Sequence, residues 1–231
     1  MIKIIPQGRT GNLLLQNVGI SIIAKKFDFS VENYSHLQNS EEIGLNLYSG
    51  NIVNSQFKKY YDSDLSNILQ IDRIENGIIF DGLFQQKKFV IDYRLEILSH
   101  FNLNYEKYDN QVFVHVRLGD VVHTNPGLNY YQEALNKLSF QSGFISSDSP
   151  NHPIVQSLIR DYNLSIYNDS PIKIINFAKN FENLVLSKGT FSWWIGLLSK
   201  ANNIIYPVND IGWHGDIFVF EDWKSIDINS L

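Results

Sequence analysis

From residue 111 to residue 206, short apolar runs alternate with stretches of helical period, and this alternation narrows the possible folds more than any other feature. Residues 112–116, 143–146, 164–167, 184–186 and 203–206 read as strands. Residues 130–138, a stretch opening near Pro153, 171–181 and 191–200 read as helices, with Pro153 suited to a first helical turn. A strand followed by a helix returns to the sheet most simply as a parallel strand, so the series predicts a parallel sheet covered by helices.

The first half repeats the theme less regularly. Residues 2–6 read as a buried strand, then comes a glycine-containing turn. A helix is expected over 12–27, with Leu14, Leu15, Val18, Ile22 and Ile23 on its core side. Residues 29–70 have weak periodicity and predict loops and short elements. A strand over 77–82 and a helix over 85–101 follow, the helix offering Val90, Leu95, Ile97 and Leu98 to a core; 102–110 reads as a linker. The expected fold class is therefore α/β. Two Rossmann-like domains, 1–106 and 107–231, have parallel sheets facing a central cleft, with ligands at the carboxyl ends of the strands.

Composition removes several functions. The 231 residues carry 19 Lys and Arg against 24 Asp and Glu, a net charge of −5 without a basic cluster, which argues against a nucleic-acid surface. An anionic ligand must then be caught by a few placed arginines and backbone amides. With no cysteine, thiol nucleophiles, disulfides and cysteine-ligated metals are excluded. The six histidines show no metal-ligand spacing, so no metal site is expected. The opening apolar run is too short for a signal peptide or a membrane span, and a cytoplasmic location is the expectation.

Three segments carry the chemistry. In Val112-Phe113-Val114-His115-Val116-Arg117-Leu118-Gly119-Asp120 an apolar strand ends in an imidazole, a guanidinium and a carboxylate. Strand alternation puts His115 and Arg117 on one face, where a guanidinium can bind two phosphate oxygens; the competing reading is a structural Arg117–Asp120 ion pair. Gly8-Arg9-Thr10-Gly11-Asn12 follows the first strand and opens the first helix, so its amides can meet an anion or a sugar hydroxyl, although local sequence favours Asn12 as an ordinary helix N-cap. Ser146-Ser147-Asp148 and Ser187-Lys188-Gly189-Thr190-Phe191-Ser192 place hydroxyls, amides and a carboxylate after two later strands. Asp148 is suited to a guanine edge or ribose and Thr190 and Ser192 to phosphate; each segment alone reads equally as helix caps.

Other residues read as structural. Asp62-Ser63-Asp64 has the form of a short manganese-binding acidic motif, but without an apolar strand before it a helix start is the simpler reading. Trp193 and Trp194 read as a buried helix face, and Trp213 and Trp223 as candidates for exposure.

Together these segments resemble the α-1,2-fucosyltransferase family and share motifs with the α-1,6- and protein-O-fucosyltransferases. Gly8, Gly11, Asn12 and Gln16 resemble the N-terminal signature, and Gly82-Leu83-Phe84-Gln85 the family's Gly-Tyr-Phe-Gln. His115-Val116-Arg117-Leu118-Gly119-Asp120 resembles the principal His-x-Arg-Arg-Gly-Asp motif, with Tyr130-Tyr131 beyond it. Ser146-Ser147-Asp148 and Thr190-Phe191-Ser192-Trp193-Trp194 are similar to the second and third motifs. Leu118 stands where the family has a second arginine, Leu13 where it has a glutamine and Gly189 where it has a serine.

The resemblance implies a GT-B architecture and an inverting, metal-independent transfer from GDP-fucose to a glycan acceptor, with no cofactor besides the donor. It implies donor contacts from Gly11, Asn12, His115, Arg117, Ser146, Ser147, Asp148, Gly189, Thr190, Phe191 and Ser192. Arg117 would stabilise the leaving diphosphate and Asn12 orient phosphate or acceptor. Asp120, preferred over His123, would take the acceptor proton. Two alternatives stay open: another sugar nucleotide as donor, and a sugar- or nucleotide-binding module without turnover. A Rossmann oxidoreductase ranks third, since the first turn lacks the three-glycine pattern.

Overall fold

The computed structural model describes residues 1–51, 56–208 and 217–230. They form two compact units, one of residues 1–103 with Ile217 and the other of residues 104–208 with 218–230. Both are α/β, and the strand pairings within each sheet are parallel.

The first unit runs β1 (Ile2–Ile4), α1 (Thr10–Phe27), β2 (Val31–Glu32), β3 (Phe57–Tyr61), a 3-10 turn at Asp62–Asp64, α2 (Leu65–Gln70), β4 (Gly77–Asp81), α3 (Lys87–Asp92) and α4 (Arg94–Ser99). Its sheet order is β2-β1-β4-β3. Helix α1 is buried on nearly every side, which fits its apolar sequence, and Gly19 within it gives room to Phe84: a Cβ there would stand 2.4 Å from the phenyl ring. Phe84 itself holds a φ of +58°, an uncommon conformation for a bulky residue, and is fully buried and stacked on Phe80.

The second unit runs β5 (Tyr108–Val116), α5 (Leu128–Asn136), β6 (Ser142–Ser147), α6 (Pro153–Tyr162), β7 (Leu164–Ile166), α7 (Pro171–Ala178), β8 (Phe181–Val185), α8 (Thr190–Leu197), β9 (Asn203–Val208) and β10 (Lys224–Asp227), in the sheet order β10-β9-β8-β5-β6-β7. Central strand β5 is covered on both faces, so Val112 to Val116 are all buried and read as a continuous apolar run instead of an alternating one. Trp193 and Trp194 are fully buried in α8, as their apolar neighbours imply.

Several expectations need correction. The helix expected over 85–101 is broken at Tyr93, whose φ and ψ of −108° and 13° are not helical. The break turns Leu95 outward, 82% exposed, while Val90 and Ile97 reach the core. The strand before Asp62, β3, carries exposed Lys58 and Lys59 and is not apolar, and Asp62–Asp64 opens a turn into α2 as the helix-start reading expects; the linker expected over 102–110, by contrast, already contains the start of β5 at Tyr108. Trp223 is buried, because Gly196 of α8 leaves space for its indole. Trp213 lies outside the described residues.

Candidate active site

In the second sheet the chain leaves β5 for β6 and β7 on one side, then crosses to β8, β9 and β10 on the other. The reversal lies between β5 and β8, and in open parallel sheets the crevice beyond the carboxyl ends of such a pair is where ligands bind. His115 and Arg117 stand at the end of β5, the segment from Ser187 to Thr190 at the end of β8, and Ser146 to Asp148 at the end of β6, beside β5. The sheet thus gathers all three C-terminal segments.

His115 is buried, its Nδ1 2.6 Å from Ser192 Oγ in the first turn of α8, and its ring lies 5.0 Å from that of Phe191. Burial, and secondarily the nearby Arg117 charge, press its pKa down from 6.5 to about 3, so the imidazole is neutral. The Ser192 hydroxyl expected at a phosphate is therefore engaged by His115. Gly189, at a φ of +101°, starts α8, and Thr190 is its first residue.

The guanidinium of Arg117 is held by two carboxylates: Nη1 by Asp148 Oδ2 at 2.5 Å and Nη2 by Asp120 Oδ1. Asp148 also accepts the Leu118 backbone N–H at 2.9 Å, so one side chain fixes both the arginine and the loop carrying it. Gly119 is required here. Its φ is +25°, and a Cβ would stand 2.5 Å from Asp148 Oδ2. Leu118 points away from this cluster and is 1% exposed in the core with Val116, Tyr130 and Tyr131. His123 is exposed in the turn after Asp120.

A partly buried relay, carried by residues that no local pattern marks, ties the loop after β5 to the loop after β8. Asn125 Nδ2 donates to the Arg117 carbonyl at 2.7 Å and to Tyr131 Oη at 3.1 Å, and the Tyr131 hydroxyl donates to Ser187 Oγ at 3.2 Å. Tyr131 was visible only as part of a motif; Asn125 carried no signal beyond being a polar loop residue. Ser146 and Ser147 are buried, and Ser147 Oγ accepts from the Ser149 N–H at 3.1 Å.

In the first sheet β1 and β4 are neighbours, in the order β2-β1-β4-β3. Asn12 is the third residue of α1 and not its N-cap, which is Arg9. Its Oδ1 accepts from Gln85 Nε2 at 2.8 Å. Buried Gln16 donates to the carbonyls of Gly82 at 2.7 Å and Ile5 at 3.2 Å. Gly11 is buried in the same first turn, and Gly8, at a φ of +78°, brings the backbone against the Asn12 amide. The Gly8-to-Gln16 and Gly82-to-Gln85 segments, far apart in sequence, thus meet at one sheet end. Both oxygens of Asp62 accept backbone N–H groups, from Leu83 at 2.8 Å and Phe84 at 2.9 Å, so this carboxylate shapes the same turn.

Two parallel sheets, each in its own unit, define a GT-B-like α/β fold. Among solved structures, E. coli heptosyltransferase WaaC with ADP-2-deoxy-2-fluoro heptose matches 97% of this chain and 92% of its own, with a TM-score of 0.50 and 11% identity. E. coli heptosyltransferase WaaC with ADP matches 98% of this chain and 90% of its own at a TM-score of 0.47 and 10% identity. No protein-family profile matches the chain, and neither does any curated protein. At these identities the likeness is one of fold.

Proposed function

We propose that this protein is an inverting glycosyltransferase that moves L-fucose from GDP-fucose to a glycan hydroxyl without a metal ion. The observation that carries the reading is the convergence of the motif residues His115, Arg117, Asp148 and Ser192 at the β5/β8 reversal of a fold shared with a nucleotide-sugar transferase.

In this mechanism the donor diphosphate takes the place of the more exposed Asp120 on Arg117, while Asp148 continues to hold the guanidinium. The amides of Gly189, Thr190 and Phe191 at the start of α8 meet the same anion. The acceptor oxygen attacks the anomeric carbon, the bond to the β-phosphate oxygen breaks, and Arg117 stabilises the charge gathering on departing GDP. Asp120, released from its ion pair, accepts the acceptor proton. Neutral His115 positions α8 through Ser192 and contributes no charge.

A second reading keeps the reaction and changes the donor. Leu118 fills the core where the fucosyltransferase motif has a second arginine, which favours a differently held sugar nucleotide. A thermal-shift panel of GDP, ADP and UDP with their sugar conjugates tests both. A nucleotide that binds the folded state at about 100 times its Kd raises stability by about 2.7 kcal/mol. A shift with GDP and GDP-fucose supports the first reading and a shift with ADP- or UDP-sugars the second; no shift with any overturns both.

A further inference from the structure

In the first unit a groove of about 360 Å³ opens between α2 and α3. Its floor is apolar, with Leu65 and Phe89 both buried. One wall is the half-exposed ring of Tyr93, turned at the α3/α4 break and stacked on Phe89 with centroids 5.4 Å apart. The rim is polar: Ser66 and Gln70 come from α2, Gln86 from the turn before α3, and the Lys88–Asp92 ion pair from α3.

We propose that this groove binds a carbohydrate and seats the acceptor glycan, an inference that rests on the glycosyltransferase reading. A sugar ring presents an apolar C–H face with hydroxyls around its edge. It therefore asks for an aromatic ring flanked by groups that both donate and accept hydrogen bonds. Tyr93 offers the ring; Ser66, Gln70 and Gln86 offer the hydroxyl and amides. A phosphate would find the rim cation, Lys88, already neutralised by Asp92. The volume falls at the small end of ligand sites and suits a mono- or disaccharide.

The position agrees with the chemistry. The groove begins at the carboxyl ends of β3 and β4, the end that carries Asn12 and Gln85. Gln86 donates to the Asp62 carbonyl, and the Asp62 carboxylate holds the Leu83 and Phe84 amides, so the rim is built into the turn that positions Gln85.

The test is saturation-transfer NMR and calorimetry of the full chain with methyl β-galactoside, methyl β-glucoside, methyl β-N-acetylglucosaminide and lactose at millimolar concentration. The wild type should bind at least one of them. Ser66→Trp, at an exposed position that fills the groove, should weaken that binding at least about tenfold, as should Tyr93→Ala, while Tyr93→Phe keeps it. Nucleotide-induced melting shifts should be equal in all four proteins. Wild type that answers to a nucleotide but to none of the four sugars overturns the inference, as does sugar binding undisturbed by Ser66→Trp. No nucleotide shift in the wild type instead sinks the transferase reading, while sugar binding that Ser66→Trp weakens still supports a carbohydrate groove.

Discussion

The Nδ1 of His115 and the Oγ of Ser192 lie 2.6 Å apart inside the second unit, joining the end of β5 to the first turn of α8 across the sheet reversal. The bond belongs to a pair of groups withdrawn from water, so its loss costs more than its formation yields.

Ser192→Ala should therefore destabilise the fold by about 1–3 kcal/mol, read as a lower midpoint in urea. Acid should act on the same pair. Below pH 6.5 the unfolded chain takes up a proton at residue 115 that the folded chain refuses until about pH 3, so stability falls on acidification through that window. His100, also lowered by burial, pushes in the same direction. His115→Asn should flatten the stability slope between those limits by at most about 1.4 kcal/mol per pH unit. An unchanged slope would mean that His115 is protonated in the folded state.

Arg117→Ala should lower the transfer rate by about 10²–10³-fold, a loss of roughly 3–4 kcal/mol of transition-state stabilisation, with the protein still folded by circular dichroism. Arg117→Lys should recover little, since an ammonium cannot span Asp148 and a phosphate in the planar geometry of a guanidinium. GDP release with a working acceptor measures both; lysine turnover near wild type contradicts the assignment.

Leu118→Arg should not strengthen GDP-fucose binding. The side chain is 1% exposed among Val116, Tyr130 and Tyr131, and a guanidinium placed there lacks a partner. A loss on the order of 4 kcal/mol in stability is expected from urea melts, with no gain in calorimetric affinity. Tighter binding at an unchanged melting temperature would show that the loop can turn this residue toward the donor.

Turnover should survive EDTA, while Asp62→Asn should lower stability by about 1–2 kcal/mol through the Leu83 and Phe84 amides that its carboxylate accepts. Activity lost on chelation and restored by manganese would assign the Asp62 and Asp64 carboxylates to a metal instead.

What the sequence disclosed depended on how completely each element is covered. β5 was legible because both its faces are buried, and the glycine and charged residues that end it stand out against the apolar run. β3 and β10 were not: each lies at a sheet edge, and Lys58, Lys59, Lys224 and Ser225 keep the run from reading as apolar. The break at Tyr93 left no mark, for neither proline nor glycine causes it, and Leu95 consequently looked like a core residue. In the site, His115 and Arg117 were visible as strand-end polar groups. Their partners were visible only as segments, because the bonds to Asp148 and Ser192 span 31 and 77 residues. Asn125 and Tyr131 act through a relay made by packing, which local pattern does not encode.

The contact between Gly119 and Asp148 also limits how this loop can diversify. Any side chain at 119 collides with the carboxylate that holds Arg117, so position 119 is closed to mutation while Asp148 remains. Shortening residue 148 would relieve only the clash, since the φ of +25° still strains a side chain at 119, and it would strip the arginine of one anchor. The two positions are thus expected to be inherited as a unit, and change in this part of the molecule is left to the loop beyond Asp120.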